Sequence, residues 1–409
     1  MTPLCLERTG AVPLAVAIAM PDCRGDNAFL DALLPHAPSI GSLRIMGHLS
    51  IETVADELPG FFDVPILGLT SLELQQTAEP AQLFPPDNSP VPPLFHNISK
   101  LRSLSLTQTP LYPALFTIGS LVELKLTGYT IPFHFGTLLG LLDSNSDLEL
   151  VVLDIQFVTD SVKTIPASRV VPLTHLQNLS ITCSKPVDSR ELLSHVCLPR
   201  GVHIEVVFTQ PAQSVGLRSF LPSPSTPIWK LLSPITTIKS QNTPREIHYS
   251  GNSSVLTICF RSTEPTLKGH TELMLFPTTA LREFYINIHP YQYIGVGVSP
   301  VLKNLPSLET LAFSKTKFPI GLLSALAEEP VLCPTLKTIA FFDCAMDSDI
   351  AKRLGETIAK RGGLAAVRLY RVVIVSSTGS LPDLGSIQQL RMSVPCVEVR
   401  VDDKLPDLS

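Results

Sequence analysis

A six-residue frame, L-x-x-L-x-L with other apolar residues accepted at the leucine positions, recurs along this 409-residue chain and restricts what it can fold into. Near the C-terminus, LETLAF from Leu308, LKTIAF from Leu336 and LAAVRL from Leu364 start 28 residues apart twice over, and LREFYI from Leu281 precedes them by 27. Upstream the frame returns as IGSLRI (Ile40), LTSLEL (Leu69), LRSLSL (Leu101), LVELKL (Leu121), LVVLDI (Leu150) and LQNLSI (Leu176), with steps of 29, 32, 20, 29 and 26. Apolar residues at frame positions 4 and 6 alternate with mostly polar ones, as a short half-buried strand requires. A strand of about five residues cannot bury its apolar side alone, so successive copies must stack in parallel around one shared core.

Those intervals match leucine-rich repeats. The expected fold is therefore an α/β leucine-rich-repeat solenoid of about 10–13 degenerate repeats, with a parallel concave sheet and helices and irregular loops on the convex side. One domain spanning 1–409 is expected. The clearest return helix is Asp349 to Arg361, where Ile350, Leu354 and Ile358 fall at i, i+4 and i+8. Asp188 to Cys197, with Asp188 and Glu191 at capping-box spacing, and Ile320 to Ala327 are weaker counterparts. Cys344 stands where such repeats use Asn or Cys to satisfy turn backbone groups. The period breaks at a proline-rich rim loop, 80–93, and across the 105 residues between Leu176 and Leu281. That gap contains strand-like runs (202–208 and 255–260) and an irregular insertion at 211–244, where a hinge between two solenoids is the alternative.

Composition supports an ordered chain. Hydrophobic residues make up 44% and charged ones 16%. The chain is too apolar for disorder, and its 37 prolines break any coiled coil or plain helix bundle. A net charge of −5 gives no footprint for nucleic acid or an anionic membrane. No stretch approaches the ~20 apolar residues of a membrane span. Ala11 to Met20 reads as a buried strand, its alternative being a weak signal peptide. Eight scattered cysteines without a CxxC pair fit free thiols in a reducing compartment, so cytoplasm or nucleus is expected. Sequons at Asn97, Asn178 and Asn252 point the other way, towards secretion.

Little chemistry is encoded. The sequence has no Walker A, GxGxxG, G-x-S-x-G or HExxH string. Cys183, His195, Cys197 and His203 form a local Cys/His cluster with no zinc spacing. No catalytic residue, cofactor or metal is expected. The functional expectation is a surface: if positions 4 and 6 point inward, positions 3, 5 and 7 line the concave sheet. Glu123 and Lys125 stand on its N-terminal half. Tyr285, Phe342, Arg368 and Tyr370 gather at the C-terminal end and are of residue types enriched in binding hot spots. Phe342 and Tyr370 would alternatively pack beneath a cap formed by Val394 to Val401.

The opening LERTGAVPLAVAI and FLDALLPHAPSIGSLRI, with the later LPSLETLAF and CPTLKTIAFFDC, resemble F-box/leucine-rich-repeat proteins of mushroom-forming fungi. That resemblance implies an adaptor capturing a protein for a cullin-type ubiquitin ligase. The chain departs from the family in showing no F-box: it has no Leu-Pro-x-Glu opening, and its one tryptophan, Trp229, lies deep in the repeats. The expectation is either an F-box encoded upstream or a repeat-only relative with another output. A stand-alone inhibitor or scaffold resembling ribonuclease-inhibitor-type repeats is the alternative.

Overall fold

Several of the described repeats open with a tight turn three residues before the first frame leucine. In the computed structural model, the position-1 N–H donates to the carbonyl three residues back: Leu69 to Ile66 (3.1 Å), Leu101 to Ile98 (2.9 Å), Leu308 to Leu305 (3.3 Å) and Leu336 to Cys333 (3.1 Å). All eight of these residues are buried. The structure describes residues 13–20, 33–47, 66–76, 98–109, 118–129, 134–157, 165–166, 168–209, 222, 226, 235–242, 245–251, 255–260, 280–287, 302–303, 305–314, 326, 332–344, 348–362, 371–376, 383–394 and 396–401. The rim loop 80–93 and most of the 211–234 stretch lie outside these residues, as does Ile320 to Ala327 apart from Leu326.

The chain is a mixed α/β protein forming two compact units, Met1–Val202 and His203–Ser409. In the first, seven strands are described in one parallel sheet: β1 (Leu14–Met20), β2 (Ile40–Gly47), β3 (Ser71–Gln76), β4 (Ser103–Thr107), β5 (Glu123–Thr127), β6 (Leu150–Ile155) and β8 (Asn178–Cys183). A separate parallel pair joins β7 (Val171–Pro172) to β9 (Val196–Cys197). Register aligns the frames, so Leu43, Leu72, Leu104, Leu124, Val151 and Leu179 form one inward row. Ile45, Leu74, Leu106, Leu126, Leu153 and Ile181 form a second, and no member of either row is more than 5% exposed. Continuous rows of this kind are how short strands share one core.

Two further devices lock the register. The position-2 carbonyl accepts both the position-2 and position-3 N–H of the next repeat: Thr70 O from Arg102 and Ser103, Arg102 O from Val122 and Glu123, Val122 O from Glu149 and Leu150. Beyond each strand, position 8 takes a left-handed conformation in three repeats: Gln108 (φ 54°), Gly128 (φ 74°) and Asp343 (φ 51°). Its N–H reaches position 7 of the following repeat, namely Thr127 O (3.1 Å), Asp154 Oδ2 (3.1 Å) and Val375 O (2.8 Å) respectively.

The register corrects two frames. Leu124 pairs with Val151, so the fifth frame starts at Leu148, two residues before Leu150. This even shift leaves the faces unchanged. Thr338 pairs with Arg371, so the strand that continues the sheet from Thr338 is β17 (Arg371–Ser376), and its frame starts at Leu369, five residues after Leu364. The run RVVIV is richer in β-branched residues than the alanine-containing LAAVRL, and occupies the strand for that reason.

In the second unit β10 (His203–Phe208) pairs in parallel with β13 (Val255–Phe260), matching the two runs expected there. An antiparallel hairpin follows, β13 to β12 (Arg245–Gly251) to β11 (Ile235–Asn242), which departs from the all-parallel expectation. Only two residues separate β11 from β12, too few for the crossover that parallel pairing needs. Parallel order resumes with β14 (Glu283–Asn287), β15 (Thr310–Ser314), β16 (Thr338–Phe342), β17 and β18 (Cys396–Val401). Phe313 and Phe341 stack at 5.8 Å within its core.

Four helices of eight or more residues are described. α1 (Phe135–Asp143) buries Phe135, Leu138, Leu139, Leu141 and Leu142. Asn145, just past its end, is fully buried: its Nδ2 donates to Leu141 O (2.9 Å) and its Oδ1 accepts Leu121 N–H (3.1 Å). α2 (Pro186–Ser194) starts earlier than Asp188, with Lys185 as N-cap and no side-chain cap. α3 (Ser348–Gly362) turns Leu354 and Ile358 inward as its periodicity requires, with Ile350 half-buried. α4 (Leu384–Ser393) precedes β18. Among the described residues, no helix is long and apolar enough to cross a membrane.

Candidate functional site

Positions 3, 5 and 7 of β2 to β5 form one continuous, mostly polar face. Pairing sets Ser42, Ser71, Ser103 and Glu123 in one row, and Arg44, Glu73, Ser105 and Lys125 in the next. Met46, Gln75, Thr107 and Thr127 form the third. All twelve side chains are half-buried or exposed, in contrast with the closed rows on the opposite face.

Charges on this face are mutually compensated. Arg44 Nε lies 3.2 Å from Glu73 Oε2. Glu123 Oε2 accepts Ser103 Oγ at 3.1 Å and lies 3.9 Å from Lys125 Nζ. Thr107 and Thr127 share a hydroxyl–hydroxyl bond of 2.9 Å. Side chains in these ion pairs are 37–46% exposed, so each pair contributes little stability and remains free to exchange partners. Glu123 and Lys125 therefore stand where the frame places them.

The C-terminal residues fare differently. Tyr285 is half-buried, and Glu283 accepts its hydroxyl; burial, with that carboxylate beside it, pushes the phenol pKa up. It packs with Val373 against a buried cluster of Ala312, Ala340, Phe342 and Val375. Phe342 is only 8% exposed, so it serves packing and offers little surface to a partner. Arg368 and Tyr370 lie outside the described residues; the corrected frame gives positions 3, 5 and 7 of that repeat to Arg371, Val373 and Val375. The five-residue frame error separated these positions from the sequence reading.

The Cys/His cluster does not converge within the first unit. His195 is buried, with Nδ1 2.7 Å from Arg169 O and its ring edge-on to Phe135. Cys197 is exposed, whereas Cys183 is buried and its thiol is pushed up to about 12 by desolvation, with Asp188 and Asp154 adding to the rise. Among the described residues no three His, Cys, Asp or Glu side chains are placed to hold a metal ion. Asp188, expected as a helix cap, sits inside α2 at 3% exposure. It accepts Phe157 N–H, while its Oδ2 has no hydrogen bond among the described residues, and desolvation raises its pKa to about 6.

Sequence reasoning missed Thr109 and Tyr129, which occupy position 9 as Cys344 does. Thr109 Oγ1 lies 3.3 Å from Leu74 O and 3.1 Å from Thr107 O. Cys344 Sγ lies 3.5 Å from Phe313 O and from Phe342 O, again the position-6 carbonyl of the preceding frame and the position-7 carbonyl of its own. Tyr129 Oη donates to Thr109 O at 2.8 Å. The signal was present as a polar residue eight positions after the first leucine. No protein-family model matches this chain, and no curated protein is significantly similar to it.

Proposed function

We propose that the chain is a non-catalytic leucine-rich-repeat solenoid that binds a protein across the polar face of its parallel sheet. The observation that carries this reading is the in-register alignment of positions 3, 5 and 7 over β2 to β5, which leaves twelve accessible, mostly polar side chains on one face. A rigid strand array fixes their spacing, which lowers the entropy lost on binding. The interaction reading centres on Arg44, Glu73, Glu123 and Lys125 of the first unit.

By its resemblance to F-box/leucine-rich-repeat proteins, the captured protein is a ubiquitin-ligase substrate. A stand-alone inhibitor or scaffold, by the resemblance to ribonuclease-inhibitor-type repeats, is the second reading. Photo-crosslinking residues placed at Ser105 and, as a control, at exposed Asp143 at the end of α1 test the binding face. Adducts with one protein from Ser105 alone support the reading; adducts from Asp143 alone overturn it. Co-purification of a cullin-ligase adaptor with the full-length protein separates the two outputs, and its absence removes the ligase reading.

A further inference from the structure

We infer that β18 is a self-pairing edge through which two copies of this chain join antiparallel, extending the sheet of the second unit across a two-fold axis. β18 pairs with β17 on one side, and among the described residues no strand pairs with its other side. An unpaired edge presents a row of backbone donors and acceptors that templates another strand. The core is also open there. Val397 and Val399 are half-exposed, whereas their neighbours in register, Val372 and Ile374, are buried.

The sequence of the strand selects the occupant. Val397-Glu398-Val399-Arg400-Val401 reads as a charge palindrome about Val399. Antiparallel pairing centred on Val399 sets Glu398 of each copy opposite Arg400 of the other, with Val399 opposite its own copy. Directly opposed residues have Cβ atoms about 4.5–5.5 Å apart and share one face, so both ion pairs form on the same side. The pair already exists within one chain, where Arg400 Nη2 lies 2.8 Å from Glu398 Oε2. In the dimer the four groups become a closed ring of alternating charge. Centring on Glu398 or Arg400 would instead oppose like charges, which is destabilising. Only a partner with the same alternation, such as a second copy, satisfies both charges and the central valine.

This inference stands apart from the polar-face reading, because β18 lies in the other unit. Sedimentation of the full chain across the micromolar range is expected to show a monomer–dimer equilibrium. Glu398→Arg places arginines opposite one another and should weaken association at least about tenfold. The double swap Glu398→Arg with Arg400→Glu restores opposite charges and should restore the dimer. Val399→Cys should give a disulfide-linked dimer under oxidising conditions, through the residue on the axis. A chain that stays monomeric throughout overturns the proposal, as does a dimer indifferent to Glu398→Arg. A double swap that melts like wild type yet stays monomeric does the same, and so does failure of Val399→Cys to cross-link.

Discussion

Thr109 Oγ1 reaches back a full repeat to the carbonyl of Leu74, 3.3 Å away, and the Cys344 thiol makes the same reach to Phe313. A hydroxyl and a thiol thus do one job at equivalent positions in two units. Thr109 is 2% exposed, so the carbonyl it serves has no water to replace it. Thr109→Val, which keeps the shape, should destabilise the first unit by about 1–3 kcal/mol. Cys344→Ser should change stability little, since it replaces a weak donor with a stronger one. Urea denaturation of each variant measures both.

Asp188 gives a pH dependence of unusual sign for a carboxylate. Its folded pKa, about 6, lies above the unfolded value of about 4. The native state therefore holds the proton more tightly, and this group's contribution to stability is present below pH 4. It is lost as pH rises through 6. Asp188→Asn should stabilise the protein at pH 7.5 by about 1–2 kcal/mol and flatten stability between pH 4 and 7, read from denaturation midpoints. An unchanged profile would mean that Asp188 is solvated in solution.

Adjacent residues in β5 should respond in opposite ways. Leu124 is fully buried in an inward row, and Leu124→Ala should cost about 2–5 kcal/mol. Lys125, one residue on, is 41% exposed on its side chain and makes a long ion pair. Lys125→Ala should shift stability by no more than about 0.5 kcal/mol. Melting curves of the two variants check the inward and outward assignment directly.

Asn145 ties the end of α1 to the strand before it through both ends of its amide. Asn145→Leu fills a similar volume but orphans Leu121 N–H and Leu141 O. It should cost about 1–3 kcal/mol and speed amide exchange at Leu121.

Much of this architecture is written in strand periodicity. Leu72, Leu74, Leu104 and Leu106 alternate with serines, threonine and glutamate, and two-residue alternation has one meaning when the strands stack. α3 was equally plain, because Leu354 and Ile358 sit four apart beside good helix formers. The hairpin of β11 and β12 was not, since pairing direction depends on the length of the connection and the alternation is the same either way. LAAVRL misled because leucines at its first and sixth positions satisfy the frame while its alanines do not favour a strand. Asp188 followed a local capping rule that its burial and its hydrogen bond from Phe157 N–H override. Phe342 looked like an anchor by type, but the small Ala312 and Ala340 beside it leave room for the ring to close over the sheet.

The most direct test of the central claim is the affinity of the protein captured through Ser105, measured for wild type, Ser105→Arg and Lys360→Glu by calorimetry. Lys360 is an exposed residue of α3 and serves as the control. Binding through the polar face predicts at least about tenfold weaker affinity for Ser105→Arg at unchanged melting temperature, and no change for Lys360→Glu. Unchanged affinity for Ser105→Arg, with loss on Lys360→Glu, would contradict it.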